Sequence, residues 1–410
     1  MEKLFKTIEG FRDYVLDLET NMTNKPAISP LSGGKGEYEK SVYIESELKK
    51  LKFDELFRID APDATAEKGI RPNIIAKYYG EDKSKTLWFM MHMDVVPEGD
   101  ISLWKTKPFE LTLDADKDTI YGRGVEDNQQ AIAAAMACAR AIMESGKRPP
   151  VNMGLMILAD EEVGSDKGLI YLVNNNKELF GKGDSFIVQD SGSPEGNEVE
   201  IAEKSLLWLQ LTTTGKQAHG SMPNTGNNAF YAASHLAIRL SDGLRAKFNK
   251  QDTLFNPPVS TFEPTKKEAN VPNVNTVPGV DVFCMDCRLL PSYKAEDFEA
   301  EVKRIIKTVE DDFKVSIEFE YLQKLTSKAT PIDAELVKAY SEGIEKVNNV
   351  KAKIIGIGGG TFAAHIRNMD MPAVVGGKIY GMPHVPNEKA SLKFILDDAK
   401  LLAYTLMNFK

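Results

Sequence analysis

The run Thr86 to Met91 is apolar and closes on His92, Met93 and Asp94. Its length and lack of polar alternation predict a buried strand. Such a strand delivers an imidazole and a carboxylate at its C-terminal end, where open α/β sheets build their sites. Residues i and i+2 of a strand point the same way, so Asp94 is placed to accept a hydrogen bond from His92 and fix its tautomer. The other ring nitrogen is then free for a metal. Alone, the pair reads equally as an ordinary polar strand end.

The surrounding chain alternates helices with strands that end in acids. Residues 2–20 and 37–51 carry apolar positions at helical spacing. Residues 53–59 and 73–79 predict strands, and the charged turn 80–85 predicts a hairpin joining the latter to 86–91. A long loop, 94–108, leads to Gly122-Arg123-Gly124-Val125-Glu126-Asp127-Asn128 and an alanine-rich helix, 128–146. Asp127 at its start suits an N-cap as well as a ligand. Val151 to Ala159 predicts a central parallel strand ending in Asp160-Glu161-Glu162, and Asp184 to Val188 a strand ending in Gln189-Asp190. A mostly parallel, doubly wound α/β catalytic sheet accounts for this order.

The texture changes near residue 205. Strands at 205–213, 259–263, 280–290 and 315–322, with helices at 229–248 and 295–309, follow the order β-α-β-β-α-β. That order predicts an inserted ferredoxin-like α+β domain. Residues 264–278 are expected as loop. The chain then returns to its first style, with a short strand running into Gly358-Gly359-Gly360-Thr361, a loop carrying His384, and a closing helix. The expected division is 1–204 and 323–410 for the catalytic domain, with 205–322 as the insert.

At 410 residues the chain is too long for one small core. Its 51 basic and 60 acidic residues leave a net charge of -9, which argues against nucleic acid or an anionic membrane as partner. No segment approaches the ~18 apolar residues of a spanning helix, and the charged N-terminus lacks a signal-peptide core. Three cysteines, Cys138, Cys284 and Cys287, form no disulfide framework. The Cys284-x-x-Cys287 pair has no second half and lies in an apolar run, so it reads as structural. A cytoplasmic enzyme is expected.

His92, Asp127, Glu162, Asp190 and His384 all stand at element ends. Two imidazoles and three carboxylates form a mixed set that zinc accepts readily, with cobalt or manganese as alternatives. One bridging carboxylate would hold two ions about 3.5–4 Å apart. Glu161, next to a ligand, suits a general base. Gly356 to Thr361 lacks the G-K-[ST] of a phosphate loop.

The runs HMDVVP, GRGVEDN, ADEEVGS, the H-G-S of 219–221 and MPHVPNE together resemble the M20 metallopeptidases and deacylases. These include aminoacylase, acetylornithine deacetylase, succinyl-diaminopimelate desuccinylase, bacterial dipeptidases and glutamate carboxypeptidase. The resemblance implies that Asp127 bridges two zinc ions, His92 and Asp190 complete one site, and Glu162 and His384 the other. It implies that Asp94 supports His92 and that Glu161 activates the bridging water. It makes 205–322 a lid or dimerisation domain whose His219 polarises the scissile carbonyl, in many members across a homodimer. Arg288 resembles the lid arginine that holds a substrate carboxylate, Asn275 the lid asparagine, and Gly359, Gly360 and Thr361 the loop at the carboxylate end. Asp127-Asn128-Gln129-Gln130 departs from the common D-M-K-G, and G-G-G-T-F-A-A-H is closer to the dipeptidase and archaeal-like branches. A dipeptidase is expected, with a deacylase of N-acyl amino acids or a catalytically silent homologue as alternatives.

Overall fold

The strand that ends at His92 spans Asp82–His92 and is buried from Thr86 onward. Its side chains feed both faces of an eight-stranded sheet. Trp88 and Met90 join a core with Leu169, Leu172, Phe362 and Ile366. These last four come from the short helices Leu169–Asn175 and Phe362–Asn368. Leu87, Phe89 and Met91 point to the opposite face. There the helices Gln130–Glu144 and Leu392–Asn408 pack on one another. Two covered faces explain why these strands are apolar throughout.

This computed structural model describes residues 1–410. The sheet order is Glu55–Pro62, Ile70–Tyr78, Val151–Leu158, Asp82–His92, Ser185–Val188, Ala373–Val375, Glu198–Glu203, Lys353–Ile357. Its centre is parallel, from Val151–Leu158 through Ala373–Val375, and antiparallel pairs flank it. Register in the centre is fixed by side chains. Asp184 accepts the Thr86 N–H at 2.8 Å and the Trp88 indole N–H at 2.9 Å. A Cβ at Gly154 would meet the Trp88 ring at 2.1 Å, so only glycine lets that strand pass beneath the indole.

The hairpin expected at 80–85 does not form, because Val151–Leu158 lies between the two strands. Asn152 accepts the Gly80 N–H at 3.0 Å and donates to the Lys83 carbonyl at 3.0 Å. The Glu81 and Asp82 N–H groups bond Pro149 and Pro150. The turn's backbone is thus satisfied by a neighbour far away in sequence. The same strand, expected as parallel, is antiparallel on its Ile70–Tyr78 side. The single helix expected over 2–20 is two, Glu2–Glu9 and Arg12–Thr23. Gly10 is a poor helix former, and the Phe11 N–H bonds the Ile8 carbonyl at 2.9 Å as its ring turns inward.

The chain divides into two compact units, Met1–Ile201 with Thr330–Ile354 and Thr361–Lys410, and Ala202–Ala329 with Ile355–Gly360. In the second, four antiparallel strands lie in the order Thr261–Lys267, Val280–Leu289, Ser205–Thr214, Ser316–Leu325. With helices Ala229–Lys247 and Ala295–Phe313 this is the ferredoxin-like arrangement. Leu207, Leu209 and Leu211 face those helices, whereas Trp208 is exposed. Cys284 and Cys287 are buried free thiols, the latter in this core. The first strand runs on to Lys267, beyond the expected Glu263. It is an edge strand and shifts register after Pro264, which has no N–H to pair. No helix is long and apolar enough to cross a membrane.

Candidate metal centre

The C-terminal ends of three adjacent strands supply the centre. His92 ends one strand, Glu161 and Glu162 follow Val151–Leu158, and Asp190 follows Ser185–Val188. Asp127 comes from the turn before helix Gln130–Glu144, and its peptide bond to Asn128 is cis. Its side chain does not cap that helix. It points instead to two imidazoles.

Each oxygen of Asp127 faces one of them. Oδ1 lies 3.0 Å from His92 Nε2, and Oδ2 lies 3.2 Å from His384 Nε2. Asp190 Oδ1 stands 3.3 Å from His92 Nε2, and Glu162 Oε2 stands 3.0 Å from His384 Nε2. Two donor triads share His92, namely His92–Asp127–Glu162 and His92–Glu161–Asp190, each with its donor atoms within 4.8 Å of one another. In a tetrahedral shell with bonds of about 2.0–2.1 Å, donor atoms sit about 3.3 Å apart. The observed spacing therefore fits two adjoining cation positions. Glu162 Oε1 is buried without a hydrogen-bond partner, a further free acceptor at the site. Two imidazoles among carboxylates suit zinc-like divalent ions better than calcium or magnesium.

Electrostatics point the same way. Burial pushes Glu161 well above the usual carboxylate range, and Asp190 and Glu162 add to the shift while His92 opposes it. Glu162 rises to about 7, chiefly through burial. Asp190 also rises through burial. Asp127 falls, because the two imidazoles outweigh its own burial. His384 rises to about 10 through its bonds to Asp127 and Glu162. His92 rises too, burial being outweighed by Asp127 and Asp190. Free of metal, the cluster holds protons where cations would stand.

Asp94 acts differently from the expectation. The His92 Nδ1–H is held at 3.0 Å by the Asp94 carbonyl, and the nearer carboxylate oxygen is 3.5 Å away. The carboxylate instead accepts the N–H groups of Glu161, at 3.1 Å, and Glu162, at 3.0 Å. Either way Nε2 is left for a metal. The preceding Asp160 has φ 69°, and its N–H donates to Glu37 at 3.3 Å. Arg71 pairs with Asp160 at 2.8 Å and with Glu37 at 2.6 Å. Lys40, also buried, donates to the Met93 carbonyl at 2.9 Å, between His92 and Asp94. Glu37, Lys40 and Arg71 escaped the sequence reading. Charged residues in a helix and on a strand gave no sign of burial.

His219, Asn275, Arg288, Gly359 and Gly360 belong to the second unit, Thr361 to the first. His219 pairs in a two-residue ladder with Thr276, its Nδ1 2.8 Å from the Ser221 hydroxyl. The Asn275 carbonyl accepts the Gly220 N–H at 2.7 Å, which joins the H-G-S and N-T-V segments. Arg288 holds Asp286 through Nη2, at 2.9 Å, and donates to the Gly358 carbonyl at 2.7 Å. Thr361 caps helix Phe362–Asn368, accepting the Ala363 N–H at 3.1 Å. His235 packs against Tyr231 and Phe313, a structural role.

The sequence profile of peptidase family M20/M25/M40 matches residues 88–408. An uncharacterised metallohydrolase of Methanocaldococcus jannaschii is 38% identical over 403 residues, covering 94% of this chain and 97% of that protein. Aminopeptidase PepT from Bacillus cereus superposes with a TM-score of 0.77 at 18% identity, over 97% of this chain and 98% of that one. The dipeptidase Dug1p from Saccharomyces cerevisiae gives 0.74 at 16% identity, over 99% and 98%. At such identities the two superpositions establish a shared fold.

Proposed function

The chain belongs to peptidase family M20/M25/M40, and from that premise we propose that it hydrolyses the amide bond of a small substrate with a free α-carboxylate, a dipeptide in the first instance. The observation that carries the proposal is the division of Asp127, one oxygen to each imidazole, with Asp190 and Glu162 on either side. Divalent ions held by these residues would supply Lewis acidity and lower the pKa of a bound water.

The chain's own residues do the rest. Glu161, its N–H pinned by Asp94, takes the proton of the attacking water. The water oxygen bonds to the amide carbon, the C–N bond breaks, and Glu161 returns the proton to the leaving nitrogen. By the family resemblance His219 stabilises the charge developing on the carbonyl oxygen. Arg288 binds the substrate carboxylate, with Asn275, Gly359, Gly360 and Thr361 around that end. We assign 205–322 as lid and dimerisation domain of a cytoplasmic homodimer. Support for a dipeptide comes from the glycine-loop spelling and from Asn128-Gln129-Gln130, with the fold of a yeast dipeptidase alongside.

The test is a substrate panel with zinc, cobalt or manganese restored to stripped protein. It comprises dipeptides and N-acetyl, N-succinyl and N-carbamoyl amino acids, each also as the C-terminal amide. Dipeptides should be cleaved fastest and their amides poorly. E161Q should keep two metals and lose about 100- to 10,000-fold in kcat. Faster cleavage of an N-succinyl amino acid than of every dipeptide would make this a deacylase. Full activity of E161Q would remove the assigned base.

A further inference from the structure

The residues on either side of Asp127 reach in opposite directions. Glu126, almost wholly buried, sends its carboxylate to the loop that carries His384. Oε2 accepts the Tyr380 N–H at 2.6 Å, and Oε1 accepts the Met382 N–H at 2.5 Å. The loop returns the contact. Glu388 Oε1 accepts the N–H groups of Glu126 and Asp127, both at 3.0 Å, and Oε2 accepts that of Gly124 at 3.0 Å. Arg123 pairs with the same Oε2 at 2.7 Å. Each segment's carboxylate thus closes the backbone donors of the other. His384 needs such a clasp. Its side chain is 54% exposed and its φ is 65°, so neither packing nor backbone preference sets its ring.

Asn128 reaches the other way. Its Oδ1 accepts the His92 N–H at 3.3 Å. Its Nδ2 donates to the Gln189 carbonyl at 2.6 Å and to Asp190 Oδ1 at 3.1 Å. That Asp190 oxygen is the one facing His92 Nε2. One buried amide therefore ties the strand end of His92 to Asp190 and aims the carboxylate.

Given the dinuclear centre inferred above, we propose that Glu126 and Asn128 are positioning residues that set the affinities of the two cation positions separately. Glu126 governs the position between His384 and Glu162, and Asn128 the position between His92 and Asp190. Asp127 is common to both. Contacts behind metal ligands are worth on the order of 10–100-fold in affinity, and here each flank of the bridge addresses one ion.

Cobalt titration of the stripped, full-length protein, read by its visible absorption bands, tests this. H384A and D190A identify which band belongs to which position. E126Q turns one acceptor into a donor facing an N–H group. It should weaken the band that H384A abolishes by about 10–100-fold and leave the other within about threefold. N128A should do the converse to the band that D190A abolishes. Equal weakening of both bands in each variant, or no weakening in either, would overturn the proposal. Should E126Q not fold, E126D, too short to span both N–H groups, gives the same reading. Binding of fewer than two equivalents by the parent would instead reject the dinuclear centre itself.

Discussion

Asp94 and Glu162 meet through the backbone, with Asp94 Oδ2 accepting the Glu162 N–H at 3.0 Å while Oδ1 takes that of Glu161 at 3.1 Å. One buried carboxylate therefore holds the turn that presents both a ligand and the base. D94N keeps one acceptor and turns an amide N–H toward the other donor. D94A removes both. Steady-state kinetics should show kcat falling about 10-fold in D94N and about 100-fold in D94A, with KM changed little. The stripped proteins' melting curves separate this from unfolding. A D94A enzyme with parental kcat would assign the turn's geometry to the Glu37–Arg71–Asp160 cluster alone.

Cation uptake should release protons. Free of metal, His384 keeps its proton up to about pH 10, because Asp127 and Glu162 hold it. A metal needs the neutral ring, so below that value each binding event must expel the proton. Affinity should therefore rise with pH up to about 10. Zinc calorimetry in buffers of different ionisation enthalpy counts the protons, and H384A, which lacks both the ring and the cation position it serves, should release in total at least one fewer. The sign for the stripped fold is the reverse. The folded pKa lies above the unfolded value, so the ion pair with Asp127, whose carboxyl stays ionised, stabilises fully below about pH 6.5 and ceases to do so as pH climbs to the folded pKa. The Tm difference between parent and H384A should shrink over that window.

What could be read in the sequence was short-range and periodic. The apolar run to Met91 and the alternation at Leu207, Leu209 and Leu211 report burial directly, and the βαββαβ order follows from such runs. The failures share a cause. At 80–85 a hairpin was the local optimum, but Asn152, some seventy residues on, supplies the turn's partners. Helical spacing continues through Gly10, so periodicity could not show the break. Around the metal centre the acids and imidazoles were visible as residues at element ends. The carboxylates that hold backbone N–H groups were not. Glu126 and Glu388 lie far apart in sequence, and neither position carries a pattern that announces a backbone acceptor.

His219 should act across subunits. It stands on the insert, and the family resemblance implies a histidine that in many members reaches across a dimer. H219A and H92A homodimers should each be nearly inactive. In a mixed dimer, the H219A subunit keeps its metals and receives His219 from the H92A subunit. Random exchange of equal amounts should then restore about a quarter of parental activity, since half the dimers are mixed and each has one complete site. Subunit exchange confirmed by mass, with no recovery, would mean that each chain supplies its own histidine.

Arg288 spends part of its guanidinium on its own strand, with Nε and Nη2 holding Asp286 and Nη1 donating to the Gly358 carbonyl. Five N–H groups are available on such a side chain, so two remain for a substrate. Asp286 and Gly358 then serve to orient the fork. A lysine offers one ammonium and no fork, so R288K is not conservative here. Loss of a charge-assisted pair of about 1.5–3 kcal/mol should raise KM for a dipeptide about 10–100-fold. The C-terminal amide of the same dipeptide never made that pair, so its kcat/KM should be unchanged by R288K. D286N should weaken the fork's orientation and give a smaller rise in KM for the free acid, again sparing the amide. The comparison of acid with amide isolates the carboxylate. If R288K lowers kcat/KM equally for both, the arginine supports the insert's fold and the substrate's carboxylate is held elsewhere.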